Sequence, residues 1–186
     1  HAAKAGVLAA AGDYGAAEEE LAVAMRLDPD SVDVMQEAAR LHFMLKRYEK
    51  AAASWDRYAT LVETDIASGG LLITCYTALG DRANVERVAQ RTMARAEKAV
   101  ATDADNGSAM ATIFSCLLCL GEAERAKEWA RRAVLIDPDN MSMRYNLACD
   151  LVIGQGDFDL ALELLGPVDE IKAAGLYRSL WQSFAI

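Results

Sequence analysis

The sequence predicts an all-α chain, an α-solenoid built from consecutive helix-turn-helix units, and three observations carry that prediction. Small residues return at a near-constant interval: Ala17 to Ala51 is 34 residues, Ala51 to Val85 is 34, Val85 to Ala126 is 41 and Ala126 to Ala161 is 35. Hydrophobic residues make up 53% of the 186 but aromatics only 7%, so the core must come from helices packed closely through alanine rather than from ring clusters. The runs Asp28-Pro-Asp-Ser31 and Asp137-Pro-Asp-Asn140 are helix stops followed by helix starts. Proline lacks the N–H and clashes with the preceding turn, and the Ser or Asn after it is suited to cap the next helix.

Five units follow in order, at 1–31, 32–65, 66–106, 107–140 and 141–168, together forming one domain. The first places Ala5, Leu8, Gly12, Tyr14, Ala17, Leu21, Ala24 and Pro29 at regular positions, and the second keeps Ala39, Tyr48, Ala51 and Trp55 but has Tyr58 where a small residue is expected. The third, with Ile73, Tyr76, Gly80 and Val85, diverges most. Its excess of 7 residues is close to two turns of about 3.6 residues, so the extra length fits inside a helix without rotating its buried face. The fourth is the most regular, with Leu117, Gly121, Ala126, Ala130, Ala133 and Pro138, although Phe114 stands at a usually small place. In the fifth, Leu147, Ala148, Leu151, Phe158, Ala161 and Leu165 keep the pattern until Gly166-Pro167 ends it. Its excess of one residue is assigned to a loop at Gly154-Gln155-Gly156. Beyond it, Ile171, Leu176, Leu180, Trp181 and Phe184 recur at roughly helical spacing, which predicts a capping helix over 169–186 on the exposed end of the last unit, the alternative being half of a sixth unit.

The 34-residue unit, with small residues at its eighth, twentieth and twenty-seventh places and Pro near the thirty-second, resembles the tetratricopeptide repeat. That resemblance covers nearly the whole chain. It implies a right-handed superhelical array in which each unit's apolar face is covered by its neighbour, and it implies protein binding on an inner wall formed by the first helix of each unit. The matching positions are Gln36, Arg40, Phe43 and Met44 in the second unit, Gly70, Thr74 and Thr77 in the third, Ala111, Ser115 and Leu118 in the fourth, and Tyr145, Cys149 and Val152 in the fifth. Arg40 is the only cation among them, so the family's carboxylate clamp is poorly matched and a helix or extended apolar segment suits this groove better.

Charge and composition exclude other classes. A net charge of −9 argues against nucleic acid, whose binding needs a basic face to replace counterions. No run of about 18 apolar residues and no basic-then-apolar start is present, so neither a membrane span nor a signal peptide is expected. Cys75, Cys116, Cys119 and Cys149 all fall inside apolar helical runs, which reads as reduced, buried thiols in a cytoplasmic protein. Cys116-Leu-Leu-Cys119 has redox or zinc spacing, yet it lies within a helix and lacks two further ligands. Counting from Asp103, the sixth and twelfth places of a calcium loop hold Ser108 and Phe114, so the pairs Asp28/Asp30, Asp103/Asp105 and Asp137/Asp139 are read as acidic helix starts. With two histidines, no phosphate loop and no nucleophile elbow, the chain is expected to be no enzyme and to need no metal or cofactor.

A second feature stands apart from the groove. Arg87, Arg91, Arg95 and Lys98 recur every three to four residues on the lengthened helix, forming one basic face that suits an acidic partner or another domain of the same chain. The alternative is a solvated face whose stems cover apolar surface. The succession Asp103-Ala-Asp-Asn106, Gly121-Glu-Ala-Glu-Arg-Ala126 and Arg144-Tyr-Asn-Leu-Ala-Cys-Asp-Leu151 is similar to the carboxyl-terminal repeats of bacterial class III adenylate/guanylate cyclases. This resemblance implies a regulatory scaffold in a larger bacterial signalling protein, with catalysis outside the piece; His1 in place of Met and the apolar run at Ile186 suggest such an excision. Since cyclases of this class work in pairs, it also implies an alternative role, self-association as a homodimer.

Overall fold

The structure, a computed structural model, describes residues 1–167 of the 186. Ten α-helices make up the described part: α1 Ala2–Ala10, α2 Tyr14–Leu27, α3 Val32–Met44, α4 Tyr48–Leu61, α5 Ala67–Ala78, α6 Arg82–Thr102, α7 Gly107–Cys119, α8 Ala123–Ile136, α9 Met141–Gln155 and α10 Phe158–Leu165. No strand occurs among the described residues. The fold is all-α, a tetratricopeptide-like run of helix pairs. The capping helix expected over 169–186 lies outside the described residues.

The chain divides into two compact units, His1–Val88 and Ala89–Ile186. In the first, α1 packs on α2, α3 on α4, and α3 also lies against both helices of the preceding pair. One core there gathers Ala5, Ala17, Leu21, Ala38 and Leu41. A second joins Trp55 of α4 to Ala39, Leu72, Cys75 and Val88. In the other unit α7 packs on α8, α9 on α10, and α9 also packs on α7 and α8. There the alanines Ala126, Ala130 and Ala133 are fully buried, as are Met110, Ile113, Phe114 and Leu117. Arg144 is buried as well: its Nε donates to the Leu164 carbonyl at 2.7 Å and Nη1 to the Pro138 carbonyl at 2.9 Å. It thereby ties α9 to the end of α10 and to the loop before α9.

Within each pair, the turn uses one left-handed residue: Gly12, Lys46, Gly80, Gly121 and Gly156, with φ of 84, 56, 70, 80 and 65°. In the first four the next N–H reaches back five residues, as in Asp13 to Leu8, Arg47 to His42, Asp81 to Tyr76 and Glu122 to Leu117. This closure satisfies carbonyls at the helix end that would otherwise lack partners. The fifth turn is wider by one residue, because Asp157 N–H reaches the Leu151 carbonyl six residues back. Here the structure corrects the sequence reading: Gly154 and Gln155 are helical, and the extra residue is taken up by this wider helix end rather than by a loop at Gly154.

The lengthened helix α6 has 21 residues, seven more than α2, α4 or α8 with 14 each. Its buried stripe begins at Val88 and Ala89 and continues to Thr92 and Ala96. Val85, placed by spacing at the crossing point, is only half-buried. A helix with two extra turns centres its buried face further along its length, which accounts for the displacement by one turn.

The helix starts also differ from expectation. Asn106 and Asn140 accept from Ala109 N–H at 2.9 Å and Met143 N–H at 3.0 Å, but Ser31 occupies the same place with no side-chain bond. The acidic pairs are not helix starts. Asp28 and Asp137 close the outgoing helices α2 and α8, and the first turns of α7 and α9 hold no acid. Their carboxylates shape the loops instead: Asn140 Nδ2 donates to Asp137 Oδ2 at 2.9 Å, and Asp105 N–H donates to Asp103 Oδ1 at 3.2 Å.

Candidate protein-binding surface

Helical periodicity puts residues four and seven places apart on one stripe, and the predicted groove positions form one such stripe on each first helix from α3 onward. In the unit His1–Val88, α3 carries Gln36, Arg40 and Met44 exposed, and Arg40 Nη1 donates to Glu37 Oε1 at 3.1 Å. Phe43 departs from the groove reading. Its ring lies 5.5 Å from Trp55 and 5.9 Å from Tyr48 in edge contacts, packed against the core. On α5, Gly70, Thr74 and Thr77 are exposed, and Thr74 Oγ1 donates back to the Gly70 carbonyl at 2.9 Å. Beside Gly70, Gly69 is buried.

In the other unit, Ala111, Ser115 and Leu118 on α7 and Tyr145, Cys149 and Val152 on α9 are half-buried. The structure adds a residue that sequence reasoning missed. Ser115 Oγ donates at 2.6 Å to Asp150 Oδ2, which joins the two stripes across neighbouring helices. Burial holds the Asp150 carboxyl above its ordinary range, with the Ser115 bond opposing it. A signal was present: α7 and α9 start 34 residues apart, so Cys149 is the counterpart of Ser115, and Asp150 is the next residue on the adjacent first helix. Cys149 and Val152 also line an apolar cavity of about 250 Å³ with Ala148, Phe158, Ala161, Leu162 and Leu165.

The thiols are poorly suited to chemistry. Burial pushes Cys75 up to about 11 and Cys116 up to about 12, and Cys119 is raised by burial and then by Asp150. Such groups stay protonated at neutral pH, whereas nucleophiles and metal ligands need the thiolate. All four cysteines are free thiols. Among the described residues, no three His, Cys, Asp or Glu side chains are grouped to hold a metal ion, and no helix is long and apolar enough to cross a membrane.

The basic stripe of α6 is partly committed within the chain. Arg87 Nη2 pairs with Asp56 Oδ2 of α4 at 2.7 Å, and its guanidinium lies 5.8 Å from the Tyr76 ring centre. Tyr76 donates its hydroxyl to the same carboxylate, and burial followed by that bond pushes the hydroxyl up to about 12. Arg91 and Arg95 are half-buried, and Lys98 is exposed.

Residues 8–62 match the model of the tetratricopeptide repeat. No curated protein matches the sequence. Among solved structures, the chain is similar to TTC0263, a thermophilic tetratricopeptide-repeat protein of Thermus thermophilus, at 19% identity and TM-score 0.66, covering 97% of this chain and 93% of that one. It is similar to MamA from Desulfovibrio magneticus RS-1 at 15% identity and TM-score 0.61, over 91% and 92% of the two chains. YrrB, described as a tetratricopeptide-repeat protein with an unusual peptide-binding site, aligns at 16% identity and TM-score 0.55 over 98% and 89%. The chain has the fold of tetratricopeptide-repeat proteins.

Proposed function

We propose that the chain is an interaction scaffold that binds a protein or peptide segment along the stripes of its first helices. The observation that carries this reading is the repetition of those stripes on α3, α5, α7 and α9, exposed on α3 and α5, half-buried on α7 and α9, and made of small, apolar or hydroxyl side chains from α5 onward. Such a surface offers shape and desolvation with little charge, which suits an amphipathic helix or an extended apolar segment. The peptide-binding site named for YrrB supports the same class of partner. Asp150 and Ser115 supply a polar anchor on the second unit, and Arg40 supplies one on the first. The net charge of −9 disfavours nucleic acid as the partner. The finer proposal is a regulatory region in the cytoplasm, within a larger signalling protein of the nucleotide-cyclase type, acting on another domain of that parent. It rests on the sequence resemblance alone.

A displayed library of random peptides tests the scaffold. The wild-type chain should select convergent peptides, and Arg40→Ala or Tyr145→Ala should weaken those bound on the corresponding unit by about tenfold, an ordinary loss for a central contact. Circular dichroism should stay unchanged. The absence of convergent peptides, or equal binding by both variants, would overturn the reading.

A further inference from the structure

Three carboxylates that tie one helix pair to the next each meet a cation. Glu18 of α2 pairs with Arg47 at the start of α4, Asp56 of α4 with Arg87 of α6 at 2.7 Å, and Asp157 before α10 with Lys127 of α8 at 3.0 Å. Asp150 departs from that pattern. Its Oδ2 accepts from Ser115 Oγ at 2.6 Å, joining α9 to α7, and no cation among the described residues meets it. α7 carries no charged side chain, and the other one on α9, Arg144, is buried and directs its guanidinium to the Leu164 and Pro138 carbonyls. The Asp150 carboxylate is half-buried, and burial is what holds it above its ordinary range. Its separation from water is set in the folded chain, so an arriving opposite charge is attracted more strongly there than at an open surface. The surroundings leave room for a long side chain. Ala111 and Ser115 on α7 and Cys149 on α9 are small, and Leu118 and Val152 follow one turn along the same stripes.

We infer that the Asp150 carboxylate receives a lysine of the bound segment, an inference that rests on the stripes of α7 and α9 being a binding surface. The partner is then a segment with one lysine set among apolar residues. Its ammonium meets Asp150, and its aliphatic stem lies over Leu118 and Val152, as long basic side chains do on apolar surface. Ser115 decides between the two basic side chains. A guanidinium is held best when both carboxylate oxygens accept from its fork, and Ser115 already occupies Oδ2. An ammonium is a compact point charge that needs only the oxygen left over. Ser115 is thus a specificity-determining residue that acts through Asp150.

The probes are the library peptides selected by the full wild-type chain whose binding Tyr145→Ala weakens, since these sit on α9. They should share a lysine at one place. Changing that lysine to glutamine should weaken binding by at least about tenfold, the loss expected for a hydrogen bond between charged groups. Asp150→Asn keeps an acceptor for Ser115 and should abolish the difference between the lysine and glutamine peptides. Ser115→Ala frees Oδ2, so it should raise the arginine version of the peptide several-fold relative to the lysine version. That comparison reads the same carboxylate without altering it, and holds even if Asp150→Asn fails to fold. Peptides that converge without a shared lysine overturn the inference and leave the scaffold reading standing, as does a lysine preference that survives Asp150→Asn. A preference for lysine over arginine that Ser115→Ala does not move overturns the selectivity assigned to Ser115. If no selected peptide responds to Tyr145→Ala, the binding reading of this unit falls, and the inference with it.

Discussion

The second helix pair, α3 and α4, and the fourth, α7 and α8, have the same lengths, 13 and 14 residues, and correspond residue by residue at an offset of 75. Yet they distribute bulk in opposite ways. In the second pair Trp55, 2% exposed, is on the second helix and Ala39 is on the first; in the fourth, Phe114 is on the first helix and Ala130 on the second, and these last three are all fully buried. What the repeat conserves is the volume shared between two facing helices, which close packing constrains, and not a residue type at a place.

The largest predicted effect tests that exchange. Trp55→Ala should cost about 3–5 kcal/mol in urea unfolding, the usual penalty for removing a large ring from a core. Adding Ala39→Phe, the fourth pair's arrangement, should recover part of that loss, whereas Ala39→Phe alone should cost about 1–3 kcal/mol by overpacking. Strict additivity of the two would break the comparison, since coupled neighbours depart from it by roughly 0.5–3 kcal/mol. Recovery should be incomplete, because Trp55 also shares its core with Leu72 and Cys75 of α5.

This exchange shows what the sequence could reveal and what it could not. The alanine spacing, the turn glycines and the proline stops are local signals, so the helix pairs and the two added turns of α6 were legible from them. The departure at Phe114 was legible as a departure, but its compensation by Ala130 was not, because that resides on the facing helix. The basic stripe of α6 was visible in the same way. Its use was hidden, since Asp56 and Tyr76 that engage Arg87 lie 31 and 11 residues away on other helices. On the binding surface, spacing assigned Ser115 and its counterpart Cys149 but passed over Asp150, which stands one place further and so falls off the stripe counted on its own helix.

A middle-sized effect comes from the turns. Lys46 and Gly121 occupy equivalent left-handed positions, at φ 56° and 80°. A Cβ at Gly121 would meet nothing within 4 Å, so the cost of a side chain there is conformational rather than steric crowding. Gly121→Lys should destabilise by about 1–2 kcal/mol, the usual cost of a left-handed conformation for an L-residue. Lys46→Gly should stabilise by less, roughly 0.5–1 kcal/mol, because glycine gives back part of the gain as chain entropy in the unfolded state. Thermal unfolding of the two variants should shift in opposite directions, and a shared direction would mean that the two turns are not equivalent.

The smallest effect separates the pairs at their first residue. Asn106 caps α7 through its bond to Ala109 N–H, while Ser31, at the same place before α3, makes none. Asn106→Ala should therefore cost about 1 kcal/mol, a typical loss for a working cap, and Ser31→Ala should lie close to zero. Ser31→Asn asks the complementary question. If the backbone at Ser31, with ψ of 125° against 80° at Asn106, allows an asparagine to turn onto the helix, the variant should gain a few tenths of a kcal/mol. If unfolding is unmoved by that change, the difference between the two starts lies in the loop that sets ψ. Pro29 would not be its cause, since Pro138 stands at the same distance before Asn140, which caps α9 at ψ of 78°.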